Sequence, residues 1–270
     1  MNQMIALMTD YGYLDTYVAQ LKAVLMNMAP QATLFDITHG VHARDIYSGA
    51  YLLSTVVPYL PEGTVIVAVV DPGVGSKRRA VAVRGTRHYY VAPDNGLLSL
   101  ALRADLPRQA VVLDNPRYFL PHVSHTFHGR DIFAPVAAHL VNGVPLEQLG
   151  SPIAPRTLQV LEDIDHEIRE GCLVTHLLHI DRFGNLIFDL HEDGFRRWLP
   201  PNRKVRVEFG RRVIPLKRTF SDVAEGKPVA YFGSSGYLEI AVNGGSAMDF
   251  FGFYILLEEE EELVAKVRLQ

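Results

Sequence analysis

Cysteine is nearly absent from this sequence. Cys172 stands alone, which excludes an intrachain disulfide and any zinc site built on several thiolates. A large excess of one charge is missing as well. Lysine and arginine number 26 against 30 aspartates and glutamates, a formal net charge of -4. Composition therefore predicts no broad basic surface for nucleic acid. No apolar run reaches the ~18 residues that a membrane helix needs. The opening MNQMIALMTDYG lacks the basic stretch and long apolar core of a secretory leader. These absences predict a cytoplasmic protein with neither membrane nor nucleic-acid partner. The single cysteine fits a reducing compartment.

What is present suits a globular enzyme-sized chain. With 270 residues, 48% of them hydrophobic, it can build one large core or two smaller ones. MIALMTD, ATLFDIT, GTVIVAVVD, AVAVRG and HYYVAP are compact apolar runs of strand type. Between them, DTYVAQLKAVLMNMAP places Val18, Leu21, Val24, Leu25 and Met28 on one helical face. DIYSGAYLLSTVVPYL and NGLLSLALRA are further predicted helices, the former ending near Pro58. Alternation of strand and helix predicts an α/β domain over residues 1–165 with a largely parallel sheet. Ligands of such sheets sit beyond the carboxyl ends of strands, where Asp10, Asp71 and Asp94 fall.

The texture changes after about residue 165. GCLVTHLLHID, GNLIFDL, KVRVEFG, RVIPLK, KPVAYFG and GYLEIAV are short β-type runs separated by Gly, Asn, Asp and Pro. They predict an all-β, barrel-like second domain over residues 170–270. The biased stretch Glu258–Glu262 is read as a solvated segment before the last element.

Several motifs invite chemistry. VVDPGVGSKRR, Val69 to Arg79, superficially suggests a phosphate loop. Its glycines are too close for a Walker loop, and no Ser or Thr follows Lys77. A tight turn carrying arginines is the simpler reading. His122, His125 and His128 lie three apart, yet the proline and β-branched residues around them oppose the helix that would gather them on a metal. Asp15 suits a helix N-cap. A carboxylate such as Asp10 at a strand end also suits ribose hydroxyls. FGN and SSG in the second half read as hairpin turns whose polar density also fits a binding rim.

Taken in order, MTDYG, VVDPGVGSKRR, APDNGLLS, TFHGRD, DRFGN and SSGYLEIAVNGGSA resemble the S-adenosyl-L-methionine hydroxide adenosyltransferases. These are adenosine-forming hydrolases related to the fluorinases and chlorinases. The likeness runs over nearly the whole chain. It implies an α/β domain followed by a β-barrel, and a homotrimer with sites between subunits. It also implies S-adenosyl-L-methionine as substrate, adenosine and L-methionine as products, and no cofactor or metal. The positions matching the family's water-handling trio are Asp71, Arg78 and His128. Arg79 is distinguished from Arg78 by the opposite faces that strand alternation gives neighbours.

The resemblance further implies Asp10 on the ribose hydroxyls with Asp15, Tyr17 and Phe127 nearby. Asp181 would meet the methionine ammonium and Ser234 and Ser235 its carboxylate. Phe183, Asn185, Phe220, Val242 and Gly244 would hold adenine. Fluorinases carry Tyr at the position of Asp71 and Tyr-Ser at that of His128-Gly129, and a long insertion absent here. They also have Trp where Arg44 stands and Arg where Ser235 stands. The differences at Asp71 and Gly129 imply water rather than halide as nucleophile, with halide transfer or ligand binding without turnover as the alternatives.

Overall fold

The computed structural model describes residues 3–162, 164–169, 171–252 and 263–269. It divides into two compact units, Met1–Leu161 and Glu162–Gln270. Glu258–Glu262 lies outside the described residues.

The first unit is built on β1 (Met4–Thr9), β2 (Thr33–Thr38), β3 (Val65–Val69), β4 (Ala80–Arg84), β5 (Tyr89–Pro93), β6 (Gln109–Val112) and β7 (Ser151–Ile153), in the sheet order β2-β1-β3-β5-β4-β6-β7. The pairs β1–β2, β1–β3 and β3–β5 are parallel. The pairs β4–β5, β4–β6 and β6–β7 are antiparallel. The expected largely parallel sheet is thus a mixed one. The cause is local: no helix intervenes between β4 and β5, so β4 folds back as a hairpin partner instead of crossing over.

Both faces of this sheet are buried, which is why its strands read as continuous apolar runs. Ile5, Leu7, Val65 and Val67 pack on one side with α1 (Tyr17–Met28) and α4 (Ala134–Val141). Ala6, Met8, Ile66 and Ala68 pack on the other with α2 (Ile46–Val56) and α3 (Ala101–Ala104). Helix α1 buries Val18, Leu21 and Leu25, as its spacing predicts. Thr16 rather than Asp15 occupies its N-cap position, without a side-chain capping bond, and Asp15 is exposed. Asp45 caps α2 by accepting from Ser48 N at 2.9 Å.

The predicted helix at NGLLSLALRA shrinks to α3. Gly96 has φ +96°, and Asn95 donates to Val70 O at 2.9 Å while accepting from Leu97 N at 3.2 Å. Ser99 Oγ accepts from Leu161 N at 2.9 Å. Side chains that bond local or distant backbone in this way compete with helix formation.

The second unit holds β8 (Glu167–Arg169), β9 (Cys172–Ile180), β10 (Leu186–His191), α5 (Glu192–Trp198), β11 (Val205–Phe209), β12 (Arg212–Ile214), β13 (Pro228–Phe232), β14 (Tyr237–Val242), α6 (Ala247–Phe250) and β15 (Val264–Leu269). The order is β12-β11-β15-β9-β10-β14-β13, with β8 on β9. All of these pairings are antiparallel. The chain just after β12 then reaches β13. Ala230 N donates to Pro215 O at 3.0 Å, and Lys217 N donates to Ala230 O at 2.8 Å. The sheet is thereby nearly closed into a barrel around Leu173, Phe188, Val207, Ile240 and Val267, which removes most of the edge an open sheet would leave. Among the described residues no helix is long and apolar enough to cross a membrane.

Candidate functional site

Strand β3 delivers Asp71 just beyond its carboxyl end, and two successive turns then bring the chain back. Val74 N donates to Asp71 O and Ser76 N to Gly73 O, at 3.3 and 3.0 Å. Arg78 N donates to Ser76 Oγ at 3.2 Å. Gly75 is required here: its φ is +78°, and a Cβ would lie 2.7 Å from His125 O. The close approach lets the loop of Asp71 and Arg78 lie against the segment that leads to His128. VVDPGVGSKRR and HVSHTFHG are therefore two walls of one place.

The trio is directly connected. Arg78 Nε donates to both carboxylate oxygens of Asp71, at 2.9 and 3.0 Å, and Nη2 donates to Oδ2 at 2.5 Å. The pair is nearly dry, with side chains 10% and 6% exposed. Nη2 also lies 2.8 Å from Nδ1 of His128. A guanidinium is always a donor, so Nδ1 accepts and the neutral ring carries its proton on Nε2. Burial, then the Arg78 charge, pushes His128 below its ordinary pKa. With Nδ1 engaged by Arg78 and Nε2 protonated, the ring has no nitrogen free to take a proton from water. Arg79 goes elsewhere, with Nε donating to Asp94 Oδ2 at 2.7 Å.

Asp10 extends the site from the end of β1. It accepts from Arg44 N at 2.9 Å, and Arg44 has φ 68°, an uncommon conformation for a non-glycine residue. Burial raises the pKa of Asp10. A cavity of about 500 Å³ is lined by Asp10, Tyr11, Tyr17, Arg44, Asp71 and Val74. Tyr11 and Tyr17 also line a second cavity of about 400 Å³ together with Phe127 and Arg130. The rings of Tyr17 and Phe127 meet edge to face at 5.3 Å. Asp15 lines neither cavity.

In the second unit the predicted residues gather at turns. Asp181 Oδ1 accepts from Phe183 N and Asn185 N, both at 2.9 Å, and Oδ2 accepts from Asn185 Nδ2 at 2.8 Å. Asp181 thus organises the β9–β10 turn and leaves Phe183 76% exposed. Gly184 O accepts from Met248 N at 2.9 Å, so this turn lies against the chain that follows Val242 and Gly244. Asn243 Nδ2 donates to Val223 O at 2.8 Å, which draws in the loop of Phe220. Ser234 and Ser235 occupy the β13–β14 turn, at the opposite end of β14 from Val242.

Two neighbours escaped the sequence reading. Glu239 stands over Gly233, where a Cβ would meet its Oε1 at 1.8 Å. Burial raises its pKa, and the Asp181 charge adds to this. Tyr11, inside MTDYG, is the other. Among the described residues no group of three or more His, Cys, Asp or Glu is placed to hold a metal ion.

Comparison with known proteins gives a consistent picture. Family models described as the N-terminal and C-terminal domains of SAM hydroxide adenosyltransferase match residues 5–150 and 175–255. A protein of Thermus thermophilus named (R)-S-adenosyl-L-methionine hydrolase is 47% identical over 91% of this chain and 94% of its own length. A protein of Nocardia brasiliensis named fluorinase is 30% identical over 90% of this chain and 91% of its own. The crystal structure of an uncharacterized conserved protein from Thermotoga maritima superposes with a TM-score of 0.84 at 33% identity, over 98% of this chain and 100% of that one.

Proposed function

The chain belongs to the SAM hydroxide adenosyltransferase family, and we propose that it hydrolyses S-adenosyl-L-methionine to adenosine and L-methionine. The (R) sulfonium epimer in the names of its relatives is adopted for this chain as well. The observation that carries the reading is the Asp71–Arg78–His128 chain beside a cavity lined by Asp10 and Asp71.

Water oxygen attacks the ribose C5′ in line, the C5′–S bond breaks, and its electron pair leaves with neutral methionine. One proton is released. The sulfonium is already a good leaving group, so no acid is needed behind it and no metal is needed to polarise the substrate. The nucleophile is the difficulty. Arg78 keeps its positive charge at any working pH and favours hydroxide over water electrostatically. Asp71 fixes the guanidinium in a two-oxygen fork. His128 stays neutral and presents Nε2–H as a second donor. The acceptors that face the cavity are the carboxylates of Asp10 and Asp71. Hydroxide and sulfonium become two neutral products, so exclusion of water from the site favours the transition state.

Asp10 is proposed to take the ribose hydroxyls, with Tyr17 and Phe127 as its aromatic walls. Phe183, Asn185, Phe220, Val242 and Gly244 are proposed for adenine, and Asp181, Ser234 and Ser235 for the methionine end. Asp15, exposed in the subunit, is the peripheral member of this set. A homotrimer with sites shared between subunits, working in the cytoplasm, completes the proposal. Mixing inactive Asp71→Asn and Asn185→Ala proteins should then restore part of the activity.

The deciding test is incubation with an epimer mixture of S-adenosyl-L-methionine in ¹⁸O water. Adenosine labelled at the 5′ oxygen, formed from the R epimer and insensitive to EDTA, is the expected product. Unchanged substrate would overturn the proposal, and a chloride-dependent 5′-chloro product would move the chain to halide transfer.

A further inference from the structure

Tyr11 holds a polar group in this cavity for which the proposed function has no use. Its phenol stands against the backbone of Gly129, where an added Cβ would fall 2.2 Å from Oη and 3.2 Å from Cζ. The missing side chain of Gly129 is thus filled by Tyr11 beside His128. The ring is fixed from several directions. It packs edge to face on Phe127 at 5.6 Å and lies tilted to Tyr17 at 5.9 Å. Its backbone N donates to Thr9 Oγ1 at 3.2 Å. Thr9 Oγ1 is tied to Nδ1 of the buried His39 at 2.7 Å, and the next residue, Gly12, donates to His39 O at 2.8 Å.

The hydroxyl itself makes no hydrogen bond among the described residues, although Tyr11 lines both cavities. Burial, with the negative charges of Asp10 and Asp71, keeps it protonated. A neutral phenol is a donor at working pH. It is held beside the water-handling trio, where Arg78 and His128 are further donors. An attacking oxygen gains negative charge as it forms, and a preorganised donor aimed at it is worth more in the transition state than in the ground state.

From this geometry we infer that the Tyr11 hydroxyl is a further catalytic residue, donating a hydrogen bond to the attacking oxygen and afterwards to the 5′-hydroxyl of adenosine. The inference rests on the hydrolase reading. It assigns Gly129 a specific purpose: a residue with a Cβ would displace the phenol from that oxygen.

Tyr11→Phe keeps the ring and removes only the donor. The expected result is a kcat for S-adenosyl-L-methionine lower by about 10²-fold with KM nearly unchanged. Binding supplies a readout that a packing role would not move. The wild-type protein should bind adenosine more tightly than 5′-deoxyadenosine, and Tyr11→Phe should narrow that preference about 5-fold. Gly129→Ala should cost far more activity with Tyr11 in place than in the Tyr11→Phe background. Equal kcat in Tyr11→Phe and wild type, or a preference between the two nucleosides that is undiminished in Tyr11→Phe, would overturn the inference and leave the hydrolase reading standing. A wild-type protein that never releases adenosine would overturn both.

Discussion

In the proposed reaction Arg78 is the residue on which the chemistry turns, because one guanidinium serves two partners. Its Nε and Nη2 occupy Asp71 while Nη2 also reaches His128. A lysine ammonium has no planar fork and cannot reproduce that set. Arg78→Lys is therefore expected to lower kcat by about 10²–10³-fold, measured as adenosine release. The charge has a second effect. Burial first, and then Arg78, depress the His128 pKa, so in the folded protein the ring protonates only below its ordinary value of about 6.5. Protonation removes the lone pair that accepts from Arg78. The acid limb of kcat should accordingly have its midpoint below that ordinary value. In Arg78→Gln the limb should move upward, since the repelling charge is gone while Asp71 remains. A limb that stays in place would show that His128 is not the group behind it. That these residues meet was readable in part: two motifs with Asp, Arg and His in a familiar order pointed to one site. The tautomer was not readable, because it depends on which nitrogen Arg78 reaches across 50 residues of chain.

The loop between β3 and β4 is the element that makes this meeting possible. Its glycines looked like the mark of a phosphate loop or of a plain turn. Gly75 does something more particular, combining a left-handed φ of +78° with a 2.7 Å approach to His125 O. Gly75→Ala meets both obstacles. The conformation alone costs about 1–2 kcal/mol for a residue with a Cβ, and the backbone contact has no flexible side chain that can yield. The expected outcome is a lowered unfolding midpoint in urea and a fall in kcat larger than the stability loss explains, as Arg78 shifts relative to His128. Unaltered activity in a destabilised protein would show that the loop tolerates displacement. Elements elsewhere follow the same logic of pattern against context. Helix α1 was legible because Val18, Leu21 and Leu25 repeat at helical spacing and pack in the core. The run NGLLSLALRA was misread because its apolar spacing says nothing about Asn95 and Ser99, whose side chains take up distant backbone groups.

At the scale of the whole molecule, the change from long apolar runs to short alternating strands announced two kinds of sheet. It did not announce strand order, since β3–β5 pairing with β4 outside it depends on long-range packing. Histidine burial is another such property. His39, His88 and His139 all have pKa values lowered by burial in the first unit. His88 is the extreme case. It is 1% exposed, and among the described residues neither ring nitrogen makes a well-formed hydrogen bond, though the Val57 backbone lies close enough to favour its protonation. The Asp105 charge favours its protonation and Arg87 opposes it, but Asp105 is already engaged by the backbone N–H groups of Arg87 and His88 and by the Tyr90 hydroxyl.

A folded-state pKa below the unfolded one means that the unfolded chain binds more protons as pH falls through about 6.5. Stability is then full above that pH and declines below it. The urea midpoint should therefore drop between pH 7.5 and pH 5.0. His88→Phe removes one of the responsible groups and places an apolar ring there, while the backbone bond to Asp105 remains. The larger ring should cost the variant about 1–3 kcal/mol at pH 7.5, and the variant should lose less of its stability than the wild type between pH 7.5 and pH 5.0. An acid loss of the same size in His88→Phe would assign the pH dependence to His39, His139 or His128 instead.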